Sequence, residues 1–222
     1  YRRQRQMCIR DSYGGTVDVI GFGPLSAEDV MKEALTYGID NAFLINDPQF
    51  ADMDISQTAR IVAAGIKKLG PYDLVLCGRQ AIDGDSAHMA SMTSCALEIP
   101  LIAYSDEITE MKEGSVFATC MGDQMAYNVE AKMPAMILSI REKNKNRFPS
   151  VPDIMKTYDG TYKTKILTND ELDISVTKRK VTQLRKYEVK SSKQQKLVMI
   201  SGKDEEEKAA QVLQLLKQKS VI

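Results

Sequence analysis

The sequence has no net charge, no long apolar run, a single histidine and no closely paired cysteines. Each absence closes off a class of function. The 30 basic side chains are balanced by 30 acidic ones, so there is no global basic field for nucleic acid or for an anionic membrane surface. No apolar run approaches the roughly 20 residues that span a bilayer. The four cysteines, Cys8, Cys77, Cys95 and Cys120, are widely spaced and form no CxxC pair, which argues against zinc. We read them as reduced thiols in a cytosolic or similarly reducing compartment. With one histidine, His88, neither a metal cluster nor a Ser-His-Asp triad has its parts.

What is present suits one sizeable domain with an appendage: 222 residues, 43% of them hydrophobic. Residues 1–12, YRRQRQMCIRDS, hold four arginines without an apolar period. They lack the apolar segment and cleavage site of a signal peptide, and we expect them to be foreign to the fold.

From Gly14 onward apolar runs alternate with helical periods. TVDVIGFGP (16–24) reads as a strand ending in a tight turn. Ser26 and Asp29 suggest a capping box for a helix that turns Val30, Met31, Ala34 and Leu35 inward and stops at Gly38. NAFLIND (41–47) is a second strand. Asp54 can cap a helix carrying Ile55, Ala59, Val62, Ile66 and Leu69, closed by Gly70 and Pro71. DLVLC (73–77) is a third strand, its unbroken apolar character predicting burial on both faces. A helix is expected at about 86–97. After Pro100, residues 101–108, 115–121 and 125–131 alternate as a short antiparallel set, and AMILSI (135–140) returns to a buried strand.

The predicted class is α/β: a doubly wound, Rossmann-like parallel sheet with a small antiparallel section, at 13–143. Residues 144–195 are polar, basic and proline-bearing, and are expected to form an extended arm. KLVMISG and a helix from about Asp204, acidic in its first turn, make a C-terminal strand and helix at 196–222.

Ligands of such sheets sit at the carboxyl ends of strands. Two glycine-bearing loops leave such ends, 21–24 and 78–85. In the second, DLVLCGRQAIDGDSAH, Gly78 permits a sharp exit, and Gly84 permits positive φ or close approach to a ligand. The first amides of the following helix form an anion site. Arg79 adds a permanent planar charge, Asp85 or Ser86 can cap the helix, and Asp83 is free to accept hydrogen bonds from sugar hydroxyls. Spacing alone leaves open a nucleotide site or a cap-and-turn arrangement. Hydrolysis by Asp83 and Asp85 lacks a partner base, and two carboxylates make half a magnesium site.

At this loop the chain resembles the β subunit of electron transfer flavoprotein. DLVLCGRQAIDGDSAHMA is similar to that family's Gly-(Lys/Arg)-Gln-Ala-Ile-Asp-x-Asp run between strand and helix. VIGFGP with EALTYGIDNAFLI, NKNRFPSVPDIMK (144–156) and the C-terminal VMISGKDEEEKAAQVLQLLKQKSVI resemble further family segments, so the likeness runs from about Gly14 to the end. It implies a fold of the adenine-nucleotide α-hydrolase type and a heterodimer with an α subunit that carries FAD. The β subunit binds an adenine nucleotide, AMP or, in electron-bifurcating forms that oxidise NADH, a second FAD. The residues implied for that site are Phe22, Gly78, Arg79, Gln80, Ala81, Ile82, Asp83, Gly84, Asp85, Ser86, Ala87, His88, Met89 and Ala90. An arm at 146–156, with Arg147, Val151, Pro152, Ile154, Met155 and Lys156, is implied to dock an acyl-CoA dehydrogenase-type flavoenzyme. Val151 stands where the family has an anchoring leucine.

Asp83-Gly84-Asp85-Ser86-Ala87 follows the pattern of the FAD-binding form, whereas HMAS (88–91) departs from it. The family's Arg-Glu pair is replaced by Cys120 and Met121. Also absent are a Val-Lys-Gln-rich strand placed centrally in the family sheet and an Asn-Pro-x-Asp segment that contacts the adenine. On the resemblance, the expectation is a domain short of one strand.

Overall fold

The computed structural model describes residues 9–51, 53–81, 85–112, 114–140, 148–175 and 198–219. The chain divides into two compact units, Tyr1–Val181 and Thr182–Ile222.

In the first unit, strands and helices alternate where the apolar pattern predicts: β1 (Asp18–Phe22), α1 (Glu28–Thr36), β2 (Asn41–Ile45), α2 (Ile55–Leu69), β3 (Leu74–Gly78) and α3 (Met89–Leu97). The antiparallel section follows as β4 (Leu101–Lys112), β5 (Ser115–Met121) and β6 (Ala126–Lys132), and β7 (Ala135–Ser139) returns to the parallel set. Next come α4 (Val151–Tyr158), β8 (Thr164–Leu167) and α5 (Asn169–Leu172).

The α/β class holds, but the strands form two sheets. One is β1-β2-β8, parallel throughout. The other is β3-β7-β4-β5-β6, parallel from β3 to β4 and antiparallel from β4 to β6. Among the described residues β1 pairs only with β2, and β3 only with β7. This corrects the expectation for β3: an apolar strand predicted to be covered on both faces is only half-buried along its length. β1 is likewise half-buried, whereas Leu44 and Ile45 of β2 and Ala135, Met136 and Ile137 of β7 are almost fully enclosed.

Caps explain most boundaries. Asp54 Oδ1 accepts from Gln57 N–H at 2.8 Å and starts α2, as the sequence predicts. The box expected at Ser26 and Asp29 does not form: a 3₁₀ turn, Leu25–Ala27, precedes α1, whose N-cap is Ala27. Gly38 follows α1 at φ +82 with its N–H on Leu35 O, a left-handed stop that favours glycine. α2 is wedged between the sheet and α3, so Ile61 and Ala63 are buried along with the predicted Ala59 and Ile66, while Ile55 is exposed. A Cβ on Gly65 would lie 2.6 Å from Ile45 Cδ1, so α2 crosses β2 at glycine distance.

The arm is also corrected. Residues 164–172 belong to the core, with β8 on the edge of β2 and Leu167 and Leu172 buried beside Ile45, Phe50 and Ile61. In the second unit, Asp204 caps a helix α6 (Glu205–Gln218) by accepting from Glu207 N–H at 2.8 Å, and no residue of α6 is buried. Of the strand expected at 196–202, the described residues 198–202 form none.

One side-chain bond ties the two sheets. Tyr72 Oη, just before β3, donates to Asp18 Oδ2 of β1 at 2.6 Å. Burial, then the hydrogen bond and the Asp18 charge, push the Tyr72 phenol well above its ordinary range. The neutral phenol is therefore favoured in the folded state. The stabilisation is complete below about pH 10, where unfolded tyrosine starts to ionise, and fades as pH rises toward the folded-state value. Tyr72→Phe should lower unfolding free energy by about 1–2 kcal/mol at pH 7. In urea melts across pH, the gap to the parent should narrow above about pH 10; a gap that stays constant would show that the phenol is not shifted upward, and no gap at pH 7 that the bond contributes nothing.

Candidate functional site

β3 ends at Gly78, opposite Ser139 of β7, and Ser139 is itself opposite Ser105 of β4. The loop that follows therefore starts at the carboxyl edge of the parallel strands. Arg79 is exposed, and its Nε donates to Gln80 Oε1 at 2.7 Å. Gln80 Nε2 donates to Asp85 Oδ1, and Asp85 N–H bonds Ala81 O at 3.1 Å. These bonds close the loop across Ile82, Asp83 and Gly84, which lie outside the described residues.

The helix start is two to three residues later than expected. α3 begins at Met89 with His88 as N-cap, and no side chain caps it. Asp85 and Ser86 therefore do not cap the helix. Asp85 is instead spent on Gln80, and Ser86, Ala87 and His88 continue the loop. Positive φ falls on Asp85 (φ 45) and Ala87 (φ 55). Left-handed backbone costs a non-glycine residue about 1–2 kcal/mol, so this loop stores strain where ligands of such sheets bind.

The first turn of α3 holds no acidic residue. Its amides give a partial positive charge with no carboxylate of that turn competing for it. With Arg79 nearby in the loop, this edge suits phosphate or pyrophosphate. Ala90 is buried against Met136 and Leu138 and serves packing, with Met89 half-buried before it. Among the described residues no cluster of three or more His, Cys, Asp or Glu is placed to hold a metal.

The other loop is built on β1. Phe22 turns its ring into the core, 6.3 Å from Phe50 between centroids, so it can offer a ligand only its backbone. Gly23 N–H bonds Ile45 O at 3.2 Å, and Asn46 Nδ2 bonds Gly23 O at 2.8 Å. Asp47 accepts from Gln49 N–H at 2.8 Å and from Asn169 N–H at 3.0 Å. Asn46 and Asp47 thus brace this edge, a role the sequence reading missed, although Asn-Asp-Pro directly after a strand signals a capped turn. Ser105 and Ser139 were missed as well. Ser105 Oγ is fully buried without a hydrogen-bond partner among the described residues, and nothing in a strand sequence announces that.

The residues expected to dock a partner lie apart, those described being on α4. Ser150 caps it, its Oγ accepting from Asp153 N–H at 3.2 Å, and Pro152 sits in the first turn. Val151 is 68% exposed and Met155 64%, with Phe148 and Tyr158 extending the stripe at 84% and 70%. Pro152 and Lys156 are exposed as well, Lys156 Nζ lying 5.8 Å from the Tyr162 ring, and Ile154 is half-buried. Arg147 lies outside the described residues. Cys120 is enclosed beside Val116 and Ala118, and burial pushes its thiol upward.

A family model, Electron transfer flavoprotein domain, matches residues 8–166. The chain belongs to the electron transfer flavoprotein family. It is 37% identical over 166 residues to an electron transfer flavoprotein subunit beta of Thermoanaerobacterium thermosaccharolyticum, covering 75% of this chain and 63% of that protein. It is 34% identical over 224 residues to the subunit beta of Clostridium acetobutylicum, covering 99% and 84%. A caffeyl-CoA reductase-Etf complex subunit, CarD, of Acetobacterium woodii is 37% identical over 69% of this chain and 58% of that protein. The match takes in both loops and α4.

Ala87→Gly removes a left-handed alanine. It should raise unfolding free energy by about 1 kcal/mol. A denaturant midpoint that falls instead would mean that the alanine side chain packs and the strain is absent.

Proposed function

We propose that the chain is a β-type electron transfer flavoprotein subunit that holds an adenine nucleotide between its two carboxyl-edge loops and works in complex with an α-type subunit. The observation that carries this reading is the uncapped, acid-free start of α3 facing a family-matched loop. The α3 amides and Arg79 bind and orient the phosphates. The Gln80–Asp85 bond holds the loop closed around them, and Asp83 takes sugar hydroxyls. A bound flavin supplies reversible one- and two-electron chemistry, and no side chain here is needed as acid or base.

We favour FAD over AMP in this site. Gly84, where the AMP-binding pattern has an aspartate, removes a carboxylate beside a pyrophosphate. We infer a bifurcating setting with NADH as donor, in keeping with relatives named as subunits of a caffeyl-CoA reductase-Etf complex and of an acryloyl-CoA reductase. The α4 stripe is the docking face for an acyl-CoA dehydrogenase-type flavoenzyme. Its apolar side chains are held on a capped, proline-started helix, so little entropy is lost on burial in a partner pocket. We place the complex in the bacterial cytoplasm.

Nucleotide release from the purified heterodimer tests the reading. Two FAD per heterodimer are expected; one FAD with one AMP would sink the bifurcating form, and no nucleotide beyond the α-subunit FAD would sink the site itself. Separately, Val151→Asp should slow electron transfer to the dehydrogenase at least tenfold with nucleotide content unchanged. Equal rates in stopped-flow reduction would remove α4 from the docking face.

A further inference from the structure

We propose that Gln57 reads the base of the bound nucleotide: its side-chain amide pairs with the edge of an adenine ring and sets the choice among nucleotides. This role rests on the nucleotide reading above. Gln57 stands in the first turn of α2 and is 7% exposed. Its backbone N–H is taken by Asp54 Oδ1 at 2.8 Å. Its side-chain amide makes no hydrogen bond among the described residues. Burying an amide is costly unless both its ends find partners, so this is a group that a ligand can satisfy.

Spacing settles which way Gln57 faces. Gln57, Ile61 and Gly65 recur every four residues and share one side of α2. Ile61 packs in the cluster that holds Ile45, Phe50 and Phe22, and a Cβ on Gly65 would meet Ile45 Cδ1. That side of α2 therefore lies over β1 and β2. Helical side chains lean toward the helix N-terminus, so the amide leans past Ile61 toward the carboxyl ends of these strands, which Phe22 and Ile45 mark. α2 also packs along α3, and both helices start at the carboxyl edge. With the phosphates held by Arg79 and the α3 amides, the base end of the nucleotide falls on the β1 side, at Gln57.

The chemistry selects adenine. A glutamine amide offers a donor and an acceptor side by side. Adenine offers the matching pair, an amino group beside a ring nitrogen, and the two meet through parallel hydrogen bonds. Guanine carries a carbonyl where adenine carries the amino group, so the amide oxygen would face another oxygen. In a buried setting the wrong base leaves polar groups unpaired on both partners, which is how such sites discriminate strongly. A lone glutamine in a helical turn matches no motif, so only its burial and its placement single it out.

The test is calorimetric titration of AMP and of GMP into the heterodimer of the full chain with an α-type subunit, after release of nucleotide from the β site. Gln57→Met keeps the length of the side chain and removes both polar atoms. The parent should prefer AMP by about tenfold or more. The variant should lose about tenfold in AMP affinity, keep GMP within about twofold, and so lose the preference. Its urea midpoint without nucleotide should hold or rise, because an unpaired buried amide has been removed. An unchanged preference for AMP in the variant would overturn the role of Gln57 and leave the nucleotide site standing. Equal loss of both nucleotides with a lower urea midpoint would make the amide structural and overturn it too. A parent that binds neither nucleotide would remove the site and this role together.

Discussion

Parallel strand pairing governs this structure because it places every carboxyl end on the same edge. β7 lies between β3 and β4 in parallel register, so Gly78, Ser139 and Ser105 come level. The loop to α3 then leaves from a fixed line. The same geometry in the smaller sheet brings Phe22, Ile45 and Leu167 level, which is why Asn46 can reach Gly23 and Asp47 can reach Asn169. Parallel pairing also makes the weak point plain. Strands of this kind are interior strands, and among the described residues β1 and β3 each pair on one side.

Much of this was legible in the amino acids. β5 has the bounds 115–121 that its alternation indicates, and Asp54 caps where predicted. The errors share a cause: short polar side chains have several local partners and the sequence does not rank them. Ser26 had a plausible box, but Pro24 and a 3₁₀ turn set the chain entry to α1. Asp85 looked like a cap and is engaged by Gln80, five residues back. The arm failed for a different reason. Ile166, Leu167 and Leu172 are too few to show a period, yet two of them are enough to join an existing core. A signal was available there, since Thr168 N–H bonds Glu171 Oε2 in a T-x-x-E pattern.

The candidate site was legible as a motif and not as geometry. Arg79 and Gln80 stand in the loop that runs from β3 to α3, while the left-handed residues turned out to be Asp85 and Ala87. Non-glycine residues visit that region when tertiary context over-determines them. Local sequence cannot report such context.

The enclosed thiol of Cys120 has a further consequence. Thiol reagents need the thiolate and a path to it, and burial denies both on this strand. Modification of Cys120 is therefore gated by transient opening of the antiparallel section. The exposed Cys95 carries no such gate. The native chain thus contains its own stopwatch for local opening: one cysteine that marks the reagent's intrinsic speed, and another that marks how often the β4–β6 ribbon comes apart.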